Sequence, residues 1–264
     1  MSFFKQFPKV EYDFNRRGVV QNMVDMFRHV KPLPTFLDDI SAYRFYEIIN
    51  GERPDVVSTR LYGTPDFYWT FFVVNDFLHD GYRAWPMSQE QLLKYMETEY
   101  NGFAIETHPT SRADLTNSLA GRFELGETLV GSTSNARGTI TKKNIDMSQL
   151  VVQNVTGAYI GSLVGISNTT ETITGSSTGD FVDTHRVFKY ADAPYYYYRE
   201  EDTTLKQPVS NAKHVVGGVA DSDLAFVSNR THEFELNEER SKIRYVDPNY
   251  IAQFVDAFKT SLNQ

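Results

Sequence analysis

The chain has no cysteine. That removes disulfide cross-links, thiolate metal ligands and a cysteine nucleophile together, and implies a reducing cytoplasm or a particle indifferent to redox state. Positive charge is scarce as well: 26 Lys and Arg stand against 34 Asp and Glu, a net charge of −8. The deficit is spread along the chain, with 11 basic and 15 acidic residues in 1–106, 5 and 7 in 107–185, and 10 and 12 beyond. No basic face is concentrated, so neither a nucleic-acid partner nor docking to an anionic membrane is expected. Long apolar runs are also missing. The strongest, FYWTFFVV at 67–74, is far shorter than the ~20 residues of a membrane-spanning helix. The opening MSFFKQFPKVEYDF has no signal-peptide apolar region, so the expectation is a soluble protein made in the cytoplasm.

Catalytic signatures are absent too. The chain contains no G-x-S-x-G, no H-E-x-x-H, no phosphate-cradling glycine loop and no dinucleotide fingerprint. His29, His79, His108, His185, His214 and His232 are scattered without ligand spacing. Asp38-Asp39, Glu200-Glu201-Asp202 and the set Glu233, Glu235, Glu238 and Glu239 read as solvated faces, although a glycosidase pair comes together only in the fold. No enzyme, no metal and no cofactor are expected. The run Tyr195 to Tyr198 fits either a stacking platform for a sugar or base or a packing segment at a protein interface.

What is present falls into zones. Residues 1–106 are aromatic-rich, whereas 107–180 hold 31 Ser, Thr and Gly but only two aromatics, Phe123 and Tyr159. Beyond 181 aromatics return. The simplest account is an α+β protein with a small all-β domain inserted between two halves: an N-terminal arm at 1–40, a mixed domain at 41–106, the insertion at 107–185 and a C-terminal segment at 186–264.

In the arm an extended stretch around Val10, Tyr12 and Phe14 precedes Val20, Met23, Val24 and Phe27 at helical spacing, ended by Pro32 and Pro34. Tyr43 to Ile49 alternates as a strand, and Asn50-Gly51 supplies a turn able to take positive φ. Pro54 opens a helix that Gly63 closes. Thr64-Pro65-Asp66 caps the next, Phe67 to Val74, which is apolar nearly all round and must be covered on most sides. Ser88 and Gln91 form a capping box for a helix from about Gln89 to Tyr100.

The middle zone alternates in short runs at Glu127–Val130, Gly138–Thr141, Gln149–Val155 and Glu171–Thr174. There GETLVGSTSN (126–135) is echoed by TETITGSSTG (170–179), either an internal repeat or a likeness of composition. Near the C-terminus HEFEL (232–236) and KIRYV (242–246) read as a hairpin. Asp247-Pro248 then opens a helix with Ile251, Phe254, Val255, Phe258 and Leu262 on one face.

Strand, Asn-Gly-Glu turn, helix, Leu-Tyr-Gly stop, helix and closing asparagine resemble in order the LysM module, a βααβ fold that in many proteins binds N-acetylglucosamine polymers. Gly51, Glu52 and Asn75 match its turn and its helix end, and would be the glycan groove. The longer string YRFYEIINGERPDVVSTRLYGTPDFYWTFFVVND, then AWPMS and NEERSKIRYVDPNYIAQFVDAF, is similar to the LysM-containing baseplate wedge proteins of T-even-type contractile-tail bacteriophages. That resemblance covers roughly 8–100 and 230–260. It implies a virion structural subunit of the tail baseplate, joining neighbouring wedges around the central hub in a sixfold hetero-assembly, with other wedge subunits and hub proteins as partners. The aromatics that crowd the second helix favour protein contacts over sugar, with Tyr62, Tyr68, Trp69, Phe72 and Trp85, and Ile251, Phe254 and Phe258 of the terminal helix, as candidate interface residues.

Overall fold

The computed structural model describes residues 7–13, 18–25, 42–107, 119–161, 170–199, 202–207 and 224–262. Phe27, Pro32, Pro34, Asp38-Asp39, Glu200-Glu201 and three of the histidines, His29, His108 and His214, lie outside them. The chain forms two compact units, Met1–Gln91 with Leu236–Gln264, and Leu92–Glu235. Among the described residues no helix is long and apolar enough to cross a membrane.

The first unit contains strands β1 (Lys9–Tyr12), β2 (Gln21–Val24) and β3 (Tyr43–Glu47), followed by helices α1 (Pro54–Tyr62) and α2 (Trp69–Val74). β1 and β2 pair antiparallel, Lys9 opposite Val24 and Tyr12 opposite Gln21. This corrects the helix expected through Val20, Met23, Val24 and Phe27 over its described part. Met23 and Val24, two of the four residues at helical spacing, lie in β2, and here the turn decides: the Asp13 carboxylate accepts the Gly18 N–H at 2.7 Å ahead of the strand that pairs with β1.

Local chemistry explains the helix ends. Pro54 sits in the first turn of α1, and Gly63 at φ +74° closes it with its N–H on the Thr59 carbonyl. The Thr64 hydroxyl accepts the Asp66 N–H across a short 3-10 turn, Pro65–Phe67, that leads into α2. At the turn after β3, Asn50 and Gly51 both have positive φ, 48° and 66°. A Cβ at Gly51 would also lie 2.8 Å from the Met87 carbonyl carbon, so glycine is required twice over. Helix α3 (Gln89–Glu99) begins with the reciprocal box, Ser88 N–H on Gln91 and Gln91 N–H on the Ser88 hydroxyl.

The second correction concerns the C-terminal hairpin. Residues 232–236 lie on helix α4 (Asn229–Ser241), and only Lys242–Val246 is a strand, which we number β13 in chain order. The Ser228 hydroxyl caps α4 by accepting the Thr231 N–H at 3.1 Å. Five alternating residues are too few to outweigh that start signal and a 13-residue helical run. β13 instead pairs antiparallel with β3, Tyr43 opposite Val246 and Glu47 opposite Lys242. The last helix, α5 (Ile251–Leu262), buries Ile251, Phe254, Val255, Phe258 and Leu262, the stripe that its sequence spacing marks.

The second unit is built on a closed six-stranded antiparallel barrel of β4 (Phe103–Thr107), β5 (Thr128–Gly131), β6 (Arg137–Asn144), β7 (Gln149–Thr156), β8 (Thr172–Gly175) and β9 (Phe181–Lys189), in the order β4-β7-β6-β5-β8-β9. Its core holds Ile105, Leu129, Ile140, Leu150, Val152 and Ile173. Two-fold repetition governs the register. Thr128, Leu129 and Val130 of β5 face Thr139, Gly138 and Arg137 of β6; the residues 44 positions later, Thr172, Ile173 and Thr174 of β8, face Asp183, Val182 and Phe181 of β9. β5 and β8 pair reciprocally, Leu129 with Gly175 and Ile173 with Gly131, so a local two-fold passes through the Val130–Thr174 pair. Strand β4 takes in the second half the place of β7 in the first: Lys143 faces Leu150, and Val187 faces Ile105. The echo between 126–135 and 170–179 is thus a structural repeat, completed by a strand that comes earlier in the chain.

Each half caps the other's turn with a carboxylate. Glu171 accepts the N–H groups of Thr133, Ser134 and Ile160 and the Ser134 hydroxyl. Glu127 accepts the N–H groups of Ser177, Thr178 and Glu124 and the Thr178 hydroxyl. Burial acts to raise the Glu171 pKa, but the donors from Ile160, Ser134 and Thr133 outweigh it and hold the carboxyl below its ordinary range. Glycine makes the approach possible: a Cβ at Gly131 would meet Glu171 Oε2 at 2.6 Å, and one at Gly175 would meet Glu127 Oε2 at 2.5 Å.

Beside the barrel, β10 (Pro194–Arg199) runs between β11 (Asp202–Gln207) and β12 (Leu224–Ser228). Tyr197 of β10 donates to Glu106 Oε1 at 2.6 Å and also meets Arg186, whose Nε donates to Glu106 Oε2 at 2.6 Å. Glu106 is fully buried, and pairing with a guanidinium and a phenol is what makes a carboxylate tolerable there.

Candidate interaction site

The rings named as interface candidates sit in the first unit, and the structure divides them by exposure. Trp69, Trp85, Ile251, Phe254 and Phe258 are buried, at 7%, 6%, 8%, 1% and 4% exposed, whereas Tyr62, Tyr68 and Phe72 are half-buried. Trp69 projects from α2 onto α5, its ring 4.9 Å from that of Phe258 and 6.4 Å from that of Phe254. Phe71, one position on from Thr70, packs between Tyr62 at 6.1 Å and Trp85 at 6.0 Å. Such centroid distances are those of favourable ring pairs. These rings fall in two clusters, Trp69, Phe254 and Phe258 in one and Phe71 and Trp85 in the other, with Tyr62 packed against both. Tyr62 also ties α1 to β13 directly, its hydroxyl donating to the Val246 carbonyl at 3.0 Å. Burial above all keeps that phenol well above its ordinary pKa, so it remains a donor.

From this core one edge of rings reaches the surface. Phe72 lies 5.4 Å from Trp85 and 5.5 Å from Tyr82, and Tyr82 in turn lies 6.4 Å from Tyr68. Tyr82 is 65% exposed, so Tyr68, Phe72 and Tyr82 form a continuous aromatic surface. Phe45 and Ile49, 77% and 63% exposed, add apolar area at β3 and its following turn. Tyr82 and Phe45 escape a sequence reading that ranks rings by crowding. Their signals are weak ones: Tyr82 follows Gly81 in a 3-10 turn, and Phe45 alternates on a strand. Exposed apolar residues that cluster mark interaction surfaces, whereas single ones need no explanation.

The three glycan-groove candidates are committed to internal bonds. Glu52 accepts from Arg60 at 2.6 Å and from the Tyr46 hydroxyl at 2.8 Å. Asn75 is 2% exposed; its amide donates to the Phe71 and Arg244 carbonyls and its oxygen accepts the Arg244 N–H, all at 2.8 Å. Gly51 packs against Met87 and Ser88. The geometry uses these residues to join the turn, α2 and β13. Among the described residues no group of three or more His, Asp or Glu side chains gathers as a metal site.

Asp247, ahead of α5, is a structural anchor. Its carboxylate accepts the Asn249 N–H at 2.9 Å and pairs with Arg44 at 2.5 Å. The Asn249 donor first, and then Arg44, hold its pKa below the ordinary value against desolvation.

Residues 2–105 match the family described as base plate wedge protein 53. The baseplate wedge protein gp53 of Enterobacteria phage T4 is 33% identical over 92 residues, which cover 33% of this chain and 45% of that protein. The chain therefore spans a little under half the length of the curated relative it matches, and what it resembles over that part is a phage baseplate wedge protein.

Proposed function

We propose that the chain is a structural subunit of a phage tail baseplate wedge, located in the virion and made in the host cytoplasm. It would join neighbouring wedges around the central hub through protein contacts, in a sixfold hetero-assembly without enzymatic activity. One observation carries this reading: the segment similar to wedge protein 53 presents the aromatic surface of Tyr68, Phe72 and Tyr82, and exposes Phe45 and Ile49 as well. Aromatic anchors of this kind supply most of the energy of protein interfaces.

What supports a LysM-like reading of the first unit is that β3, ahead of α1 and α2, has an antiparallel partner strand. That strand is β13, supplied from the other end of the chain, and residues 92–235 form the second unit. No observation favours the alternative of glycan binding at Gly51, Glu52 and Asn75, whose polar groups are used internally. Ile251, Phe254 and Phe258 serve α5 packing in this reading, and the surface rings carry the contacts.

The test is co-purification. Tail particles from infected cells should contain the chain in a sixfold count, and a Tyr82→Ala, Phe45→Asp variant should fold yet be lost from particles. Absence of the unaltered chain from purified tails would end the baseplate reading.

A further inference from the structure

The β3–β13 sheet has two edges, and the fold treats them differently. The Ile48 N–H bonds the Ser241 carbonyl and the Asp247 N–H bonds the Ala42 carbonyl. In that alternation Arg44 and Tyr46 face β13, while Tyr43, Phe45 and Glu47 turn their backbone groups outward. On β13 the outward residues are Lys242, Arg244 and Val246, and side chains close that edge. The Asn75 amide donates to the Arg244 carbonyl and accepts the Arg244 N–H, and the Tyr62 hydroxyl donates to the Val246 carbonyl. Among the described residues nothing closes the edge at Phe45 and Glu47 in this way. Phe45 stands 77% exposed at the centre of that edge, and an unprotected edge is a template for a further strand.

The same unit carries a strand of complementary form. β1 and β2 make a hairpin rooted through Phe7 and Val24 in the cluster around α5, while Val10, Tyr12, Val19 and Val20 are between 42% and 65% exposed. Two strands by themselves are marginal in water and gain from a third. The Asp25 N–H on the Pro8 carbonyl sets the alternation here, which turns the backbone of Lys9 and Glu11 outward from β1. Laid antiparallel on the edge of β3 with Lys9 opposite Glu47, all four residues of β1 meet a partner: Val10 faces Tyr46, Glu11 faces Phe45 and Tyr12 faces Arg44. Lys9 and Glu47 are both exposed, and neither is in an ion pair among the described residues. Sliding β1 two residues one way sets Glu11 against Glu47, and two the other way takes Lys9 off Glu47 and shortens the overlap. Opposite charges facing each other across strands therefore select one register.

We propose that β1 of one copy of this chain adds as a third strand to β3 of a second copy, with Lys9 paired to Glu47. Donor and acceptor are different surfaces, so the contact runs head to tail and extends to a ring or a row of copies. It does not rest on the baseplate reading: the test uses the purified full chain with no tail particle present, and its failure leaves that reading standing. Because the chain has no cysteine, introduced ones report without background. On oxidation, a mixture of the Lys9→Cys and Glu47→Cys single variants should form the mixed disulfide dimer about tenfold faster than Lys9→Cys mixed with Arg44→Cys, since facing residues lie within disulfide reach and Arg44 is three residues away. Sedimentation of the unaltered chain at rising concentration should show association that Lys9→Glu and Glu47→Lys each weaken about fivefold and that the two changes together restore. Mixed-dimer formation no faster than in the Arg44→Cys control overturns the proposal. So does a Lys9→Cys, Glu47→Cys double variant that links within a single chain, and so do charge reversals whose losses add instead of cancelling.

Discussion

The two units reach a dry interior by opposite means. In the first, short helices and a two-stranded sheet have little backbone hydrogen bonding between them, and large rings bridge the gaps: Trp69 on Phe258, Phe71 between Tyr62 and Trp85. In the second, a closed barrel satisfies its own backbone, so mainly aliphatic side chains, joined by Phe123 and Tyr159, fill it, and the design problem moves to the turns, where Glu127 and Glu171 gather the loose N–H groups. Ring packing leaves aromatic edges that reach the surface as a docking area. Barrel closure leaves polar clefts.

The largest effect expected from testing this contrast is in the ring core. Phe71→Ala should cost ~3–5 kcal/mol, because Phe71 is fully buried. Both tryptophans of the chain, Trp69 and Trp85, lie in that unit, so their fluorescence reports its unfolding in urea, while hydrogen exchange at barrel amides should barely change. Exchange that rises equally in both units would break the comparison. Next comes Glu106→Leu, which leaves Arg186 buried without its carboxylate and should destabilise the second unit by about 3 kcal/mol, read as a lower midpoint of barrel exchange.

Smaller and more telling are the paired glycines. Gly131→Ala and Gly175→Ala each displace the carboxylate of the other half, and each should cost about 1–3 kcal/mol. The repeat predicts similar losses for the two, and a large inequality would show that the two-fold is one of strands only. Glu171 adds a pH arm. Its folded pKa is depressed, so its stabilisation is present above the ordinary carboxylate range and drains away as pH falls through the folded value. Amides of Thr133, Ser134 and Ile160 should lose protection on acidification, and Glu171→Gln should remove that dependence. The smallest effect on folding is that of Tyr82→Ala, within ~0.5 kcal/mol, although the same change is expected to weaken assembly.

Much of the local structure was legible in the residues. Pro54 and Gly63 bounded α1, Thr64 capped the next turn, Ser88 with Gln91 opened α3, and the five-residue stripe of α5 is buried as its spacing requires. These signals act within one or two turns of chain, so no distant residue can overrule them easily. Where the signal was only four residues at helical spacing or five alternating ones it failed: Gln21–Val24 became a strand beside the Asp13–Gly18 turn, and residues 232–236 became helix through the Ser228 cap. The surface rings were harder still. Tyr82 and Trp85 differ by three positions, yet one is 65% exposed and the other 6%, and only the packing of α2 against its neighbours separates them.

The sequence by itself determined the absence of cross-links, the even negative charge, the apolar stripe of α5, the turn chemistry around Asn50-Gly51 and the repeated phrase that becomes β5 and β8. Those are properties of residue types and short spacings. Tertiary structure decided that Lys242–Val246 would pair with Tyr43–Glu47, that Phe103–Thr107 would complete the second half of the barrel, and that Glu106 would meet Arg186 and Tyr197. Each joins residues far apart in the chain, and the energy that selects them is the burial and hydrogen bonding of groups that meet only once the fold has closed.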